Sequence, residues 1–180
     1  MLVLEIKGDE MWDEAQNQFV YGQPLILHLE HSLYAIATWE AKWQIPFLDN
    51  KELTDEQLLD YIACMAEEPV TVSDLKVLNA AHLKQVSDYM ANKMTATWFS
   101  DRDQKKSEAG EVVTAELVYY WMSALQIPFA CDRWHFNRLM TLIRIASIKN
   151  QPPKKMSKSA TMAQNHALNK ARRAKLHSKG

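Results

Sequence analysis

The sequence predicts a mainly α-helical (α+β) protein with a small β element at its N-terminus and a basic, flexible C-terminal tail. Apolar residues recur at spacings of three and four from residue 33 to residue 146, which is the period of amphipathic helices. An alternating apolar pattern precedes residue 32, and Lys and Arg dominate beyond residue 149. We therefore expect about five helices in a single domain, residues 1–149, followed by a tail, residues 150–180.

The β element lies within residues 1–31. Residues 2–6 alternate before Gly8 interrupts them, and residues 24–29 form a short apolar stretch that begins with Pro24. A proline is tolerated at the first position of a strand. We expect these stretches to form a hairpin or strand pair, with residues 9–21 as a connection or a short helix.

Capping residues mark the helices that follow. Ser32 is a suitable N-cap for a helix that Pro46 stops, and the run Thr54–Gln57 has the pattern of a capping box. A third helix begins at Ser73 or Asn79 and continues to about Met90. The segment 94–99 reads as a strand or packed loop, and 101–111 as an exposed loop.

Two further helices complete the domain. We expect Thr114 to cap a helix that ends before Pro128, and Asp132 to cap the last one. The buried side of the last helix is predicted to be Phe136, Leu139, Met140, Ile143 and Ala146. The tail carries an alanine stripe at helical spacing, but its apolar face is thin, so we expect disorder until it docks.

One pattern occurs twice. Trp39-x4-Gln-Ile-Pro-Phe47 recurs as Trp121-x4-Gln-Ile-Pro-Phe129, displaced by 82 positions. A helix that ends at a proline, after which a phenylalanine folds back, accounts for both copies. Duplication of a helical hairpin is the alternative.

Charge is distributed unevenly along the chain. Residues 1–132 carry a formal charge of −13, whereas residues 133–180 contain no acidic residue and carry +12. The basic end is suited to nucleic acid, to an acidic partner or to the body itself, or it serves only solubility. The tail contains no aromatic residue, so it lacks the stacking platform of single-strand binders.

We find no pattern that indicates catalysis, a cofactor or a metal. His28 and His31 would share a helical face, but a strand places them on opposite faces, so a zinc site is not expected. Cys131 and His135 suggest a nucleophile and a base, yet no oxyanion donor or glycine-shaped turn accompanies them. The two cysteines have no metal-like spacing, which fits a reduced cytosolic compartment.

Because no catalytic pattern is found, we interpret the chain as a binding protein. Its candidate contacts are aromatic and basic residues. The candidate partner-binding residues are Trp39, Trp43, Trp121, Arg133, Arg144, Lys154, Lys155, Lys158, Arg172, Arg173 and Lys175.

Several segments resemble a known family. They are Leu29–Leu33, Trp39–Trp43, Pro46–Leu48, Met94–Thr97, Glu116–Met122, Ile127–Phe129, Trp134–His135 with Asn137–Leu139, Asn169 and Arg172–Arg173. Together they resemble small proteins encoded in the tail modules of long-tailed (siphovirus-type) bacteriophages, the tail assembly chaperones. The resemblance covers residue 25 to the end, and its motifs are structural rather than catalytic.

The resemblance implies a non-enzymatic adaptor in the host cytoplasm. Such chaperones coat the helical tape measure protein before tail tube subunits polymerise around it, and some have a longer form made by ribosomal frameshifting. It implies the tape measure protein and/or the tail tube protein as partner and no cofactor, and it leaves oligomerisation open. A membrane is not expected, because no run approaches the roughly 18 apolar residues that span a bilayer. The alternative is a small structural virion or nucleic-acid-binding protein that uses its basic arm.

Overall fold

The computed structural model describes residues 1–8, 10–14, 17–49, 52–99, 112–150 and 158–176. The chain divides into two compact units, Met1–Lys149 and Asn150–Gly180. As predicted, the protein is mainly helical with a small antiparallel β element at the N-terminus. The predicted loop 101–111 lies outside the described residues.

Four strands form the β element: β1 (Leu2–Ile6), β2 (Glu10–Asp13), β3 (Gln18–Tyr21) and β4 (Leu25–Leu29). The predicted pairing of β1 with β4 is confirmed, whereas the short helix considered within residues 9–21 is wrong, because β2 pairs with β3. Both pairings keep one register, so the strands form a single interrupted hairpin. At the interruption, a Cβ on Gly8 would clash with the Gly22 carbonyl oxygen, so only glycine fits there.

Among the described residues of the first unit, the α-helices are α1 (Leu33–Trp43), α2 (Asp55–Met65), α3 (Ala80–Ala91), α4 (Ala115–Ala124) and α5 (Phe136–Asn150). The last of them ends one residue beyond the unit. Short 3₁₀ helices cover Asp74–Val77 and Phe129–Arg133. The predicted N-caps Ser32, Thr54, Asn79 and Thr114 each accept a hydrogen bond from a first-turn amide. Residues 94–99 are a loop.

The predicted cap of the last helix is wrong. Asp132 lies in the second 3₁₀ helix, where its carboxylate accepts a hydrogen bond from the Tyr119 hydroxyl at 2.9 Å. His135 precedes α5 instead, and its Nδ1 accepts from the Asn137 amide at 3.3 Å. Of the predicted buried side of α5, Phe136, Leu139 and Ile143 are buried.

The core of the first unit joins one face of the hairpin to α1, α2, α4 and α5. The strands alternate as their sequence predicts: Leu4, Ile6, Leu27 and Leu29 point inward. The largest fully buried side chains are Trp39 and Tyr61. Phe47 stacks on Tyr61 with ring centroids 3.9 Å apart and meets Trp39 edge-on, which closes the loop after α1 over the core.

The second unit contains α6 (Lys158–Leu176). We expected these residues to be unfolded before docking, and the structure instead has a 19-residue helix. Its length exceeds the roughly 15 residues below which isolated helices are marginal. Ala, Lys, Arg, Met and Leu, all strong helix formers, supply most of its positions.

Candidate partner-binding surface

The predicted contacts on α1 are one buried and one half-buried tryptophan. Trp39 is 0% exposed and its Nε1 donates to the Gln57 carbonyl at 2.9 Å, so the prediction that it contacts a partner is wrong. Trp43 is half-buried, and its Nε1 donates to Asp60 Oδ2 at 2.7 Å. Lys42 binds the other oxygen of Asp60 at 2.5 Å, and this hydrogen bond raises the pKa of Lys42. These tryptophans hold α1 against α2.

The remaining predicted contacts divide between the two units. Trp121 is half-buried on α4, and Arg144 is half-buried on α5 with its guanidinium carbon 3.9 Å from the Phe99 ring centroid. Arg133 is exposed. On α6, Arg172, Arg173 and Lys175 are exposed, whereas Lys154, Lys155 and the side chain of Lys158 lie outside the described residues.

Arg133 is the centre of an exposed aromatic cluster that the sequence did not reveal. Its guanidinium carbon lies 3.6 Å from the ring centroid of Tyr34 on α1, which is a cation–π contact. Tyr119 of α4 meets Phe129 edge-on at 5.9 Å. The Tyr119 hydroxyl donates to Asp132, the residue before Arg133. These four side chains therefore lie where α1, α4 and the second 3₁₀ helix contact one another, and we call them the aromatic–arginine surface.

This surface is exposed yet fixed in place. Tyr34 is 43% and Phe129 57% exposed. Burial and the hydrogen bond to Asp132 raise the pKa of Tyr119, so its hydroxyl stays protonated and keeps donating to Asp132. Rigid, exposed aromatic side chains beside an arginine are the composition that distinguishes protein interfaces from ordinary surface.

A second arginine close by in the chain also lies over an aromatic ring. The guanidinium carbon of Arg138 lies 4.2 Å from the Trp134 ring centroid. Arg138 is exposed and Trp134 half-buried. Trp134 follows Arg133 directly, and Arg138 lies in the first turn of α5.

An open cavity of about 400 Å³ adjoins Arg133. It is lined by Glu30, Ser32, Tyr34, Cys64, Met65, Ala66, Glu67 and Arg133. Burial raises the pKa of Cys64 to about 11, so this thiol is protonated and a poor nucleophile near neutral pH. The charged residues of its lining are two glutamates and one arginine. The sign of the surface charge therefore changes from negative to positive at Arg133.

The residues considered for a nucleophile and base are arranged differently from that hypothesis. His135 Nε2 lies 3.1 Å from the Tyr89 carbonyl, and its Nδ1 accepts from the Asn137 amide. Both ring nitrogens therefore serve the backbone, which leaves neither for Cys131. Cys131 is itself buried. The geometry favours packing for both residues.

His135 belongs to a buried polar cluster. The His31 and His135 rings lie 5.3 Å apart, and His31 Nδ1 is 2.5 Å from the Tyr61 hydroxyl oxygen. Burial and the nearby His135 lower the pKa of His31 to about 4. His28 pairs instead with Glu68, so the two histidines lie apart as the strand prediction implied. In the described ranges no three His, Cys, Asp or Glu residues are grouped to hold a metal.

Glu40 links the two copies of the repeated pattern. This buried glutamate of α1 accepts the Phe47 amide on Oε1 at 2.8 Å and the Ala115 amide on Oε2 at 2.7 Å. Ala115 is the first residue of α4, where free amides and the helix dipole favour a negative charge. The carboxylate therefore fixes α4, and with it Tyr119, relative to α1.

No protein-family model, curated protein or solved structure matches the chain. None of the helices within the described residues has the length and apolar character needed to cross a membrane. Sequence reasoning named Arg133 but missed Tyr34, Tyr119, Phe129 and Arg138. The one usable signal was the excess of arginine and aromatic residues between positions 129 and 138.

Proposed function

We propose that the protein is a non-enzymatic tail assembly chaperone of a long-tailed bacteriophage, which binds the tape measure protein or the tail tube protein in the host cytoplasm. The aromatic–arginine surface is the observation that carries the binding role. It joins α1, α4 and the second 3₁₀ helix, and it exposes ring faces and a guanidinium group together. The particular partners rest on the family resemblance.

A chaperone of this kind needs a surface that binds helical or extended protein and releases it later. Exposed aromatic side chains give large contact area at small entropic cost. The contacts at Arg133 and Tyr119 lie on the body surface, so a partner could dock without rearrangement of the core. Release then requires only competition for the same contacts.

The experiment is an affinity purification from phage-producing cells, with and without nuclease, followed by mass spectrometry. We expect the tape measure protein or the tube subunit to co-purify independently of nuclease. The double variant Tyr34→Ser/Phe129→Ser should reduce the recovery of that protein severalfold. Trp98→Ser is the matched control, because Trp98 is 78% exposed but outside this surface. Equal recovery with both variants would contradict the assignment of the surface.

A second candidate function has its own observation. α6 exposes Lys170, Arg172, Arg173 and Lys175 and contains no acidic residue, as a phosphate-contacting arm requires. It predicts nucleic acid in the purified complex. Recovery of nucleic acid that is lost in Arg172→Gln/Arg173→Gln, without any tail protein, would favour a structural or nucleic-acid-binding role over the chaperone.

A further inference from the structure

The two stacked arginines hold unused hydrogen-bonding capacity. Arg133 and Arg138 are exposed, and each has its guanidinium carbon over an aromatic ring. The ion pairs found among the described residues join Met1 with Glu30, His28 with Glu68 and Lys42 with Asp60. Neither arginine takes part in one within that portion of the chain. Each guanidinium therefore presents donors to solvent from a fixed position.

Stacking prepares these groups for a planar anion. A guanidinium held on a ring loses less conformational freedom on binding, and its fork of donors matches a carboxylate in two parallel hydrogen bonds. Carboxylate and phosphate are the two anions that fit this geometry, and their surroundings distinguish them.

The surroundings favour carboxylates on a polypeptide. Asp132 lies beside Arg133, and Glu30 and Glu67 line the adjoining cavity. A nucleic acid strand, which carries a charge on every phosphate, would bring some phosphates close to these acids. A peptide can place single carboxylates at the arginines and apolar side chains on Tyr34, Phe129 and Trp134.

We propose that Arg133 and Arg138, on the rings of Tyr34 and Trp134, bind an acidic and apolar segment of the partner protein through its carboxylates. This inference rests on the proposed function and names the chemistry of the partner. It assigns the body, rather than the basic tail, as the place where acidic residues are recognised.

The test uses the full chain and a synthetic peptide that carries two Glu residues among Leu and Ser residues, with a version in which Gln replaces both Glu residues. We expect the double variant Arg133→Gln/Arg138→Gln to bind the Glu peptide about tenfold more weakly, because two charge pairs are lost. The Gln peptide should lose a similar factor with the unaltered chain. Arg133→Lys/Arg138→Lys keeps the charge and should recover only part of the affinity, since Lys lacks the planar fork.

Lys76→Gln/Lys84→Gln is the matched control, because it removes the same charge from exposed positions of the first unit that belong to no proposed site. An equal loss in this control would overturn the proposal, since net charge alone would then explain binding. Failure of the Glu peptide to bind the unaltered chain would overturn it too. So would tighter binding of a single-stranded oligonucleotide that depends on Arg133 and Arg138.

A second copy of this chain is another acidic partner, since residues 1–132 carry −13. Light scattering on the same variants decides this: a dimer that dissociates in Arg133→Gln/Arg138→Gln would replace the partner proposal with self-association. Failure of the inference is separable from failure of the proposed function. If the double variant still captures the tape measure or tube protein, only the inference is contradicted. If the peptide binds in an arginine-dependent way but neither phage protein is captured, only the proposed chaperone function is contradicted.

Discussion

The two copies of the repeated pattern have the same local structure and opposite surroundings. Ser32 and Thr114, also 82 positions apart, cap α1 and α4, and each helix is followed by a glutamine with positive φ, Gln44 at 57° and Gln126 at 56°. Yet Trp39 is fully buried and Trp121 is half-buried. Both phenylalanines fold back as predicted, Phe47 onto Trp39 and Phe129 onto Tyr119. Phe47 also stacks on the buried Tyr61, whereas Phe129 is 57% exposed.

The comparison separates what a local pattern determines from what its neighbours determine. Caps and the left-handed glutamine set where each helix begins and turns. Burial depends on what packs alongside: α1 lies against α2, while α4 presents Tyr119 to the 3₁₀ helix and solvent. Position 40 of α1 corresponds to position 122 of α4 in the repeated pattern. The first is the buried Glu40 and the second is the buried Met122. The first copy thus serves the core and the second serves the surface.

Matched truncations should show this difference most strongly. We expect Phe47→Ala to lower the free energy of unfolding by about 3–4 kcal/mol, because a ring stacked on Tyr61 leaves a cavity. Phe129→Ala should cost below about 1 kcal/mol and weaken partner binding instead. Urea denaturation followed by circular dichroism measures both. Similar losses of stability in the two variants would remove the contrast between the copies.

Acid should destabilise the side of the core that supports the first copy. The folded-state pKa of His31 is about 4 against an ordinary 6.5, so the unfolded chain binds the extra proton between these values. The stabilisation is present above pH 6.5 and is lost as the pH falls towards 4, by about 3 kcal/mol. The lowered pKa of His135, caused mainly by burial, acts in the same direction.

The measurement is the free energy of unfolding as a function of pH. Carboxylates also titrate near pH 4, so His31→Gln is compared with the unaltered chain. We expect a shallower slope between pH 4 and 6.5 in the variant. An unchanged slope would mean that His31 is not the group responsible.

Removing the charge of Glu40 tests the link between the copies. In Glu40→Gln the side chain keeps its size, but one of the two amides it serves, that of Phe47 or of Ala115, faces an NH₂ group. We expect a loss of about 2 kcal/mol. Glu5→Gln, at an exposed position of β1, is the control and should change stability by less than about 0.5 kcal/mol.

The smallest expected change in stability concerns the glutamine with positive φ that both copies have after the helix. Glycine adopts positive φ without strain, so Gln44→Gly and Gln126→Gly should each stabilise the protein by about 0.5–1 kcal/mol. Thermal unfolding of the two single variants measures this. Because the backbone is alike at the two glutamines, we expect equal shifts of the melting temperature in the two variants. Unequal shifts would show that the packing around each helix also affects the stability of its C-terminal end.

The elements that the sequence predicted depend on short-range signals. Ser32, Thr54, Asn79 and Thr114 each cap a helix within three residues of themselves, and the alternation of β1 and β4 is read along a single strand. Asp132 had the same local signal and failed as a cap, because the Tyr119 hydroxyl from another helix takes its carboxylate.

The candidate surface depends on contacts between distant residues, which periodicity does not reveal. Tyr34 and Arg133 are 99 positions apart in the sequence, and their stacking depends on how α1 packs against the second 3₁₀ helix. The tryptophans of the first copy looked equivalent to Trp121 in pattern. Only the packing of α2 buries Trp39 and leaves the exposed aromatic role to the other copy.

The contact between Gly8 and Gly22 divides the hairpin into an inner half, β1 with β4, and an outer half, β2 with β3. Because β1–β4 and β2–β3 share one register, residue pairs could be added to or removed from the outer half without altering which side chains of the inner half face the core. Lengthening must keep Gly8, since a Cβ there would meet the carbonyl oxygen of residue 22. The outer half is therefore free to diverge, or to accept a grafted peptide, while the inner half continues to support the fold.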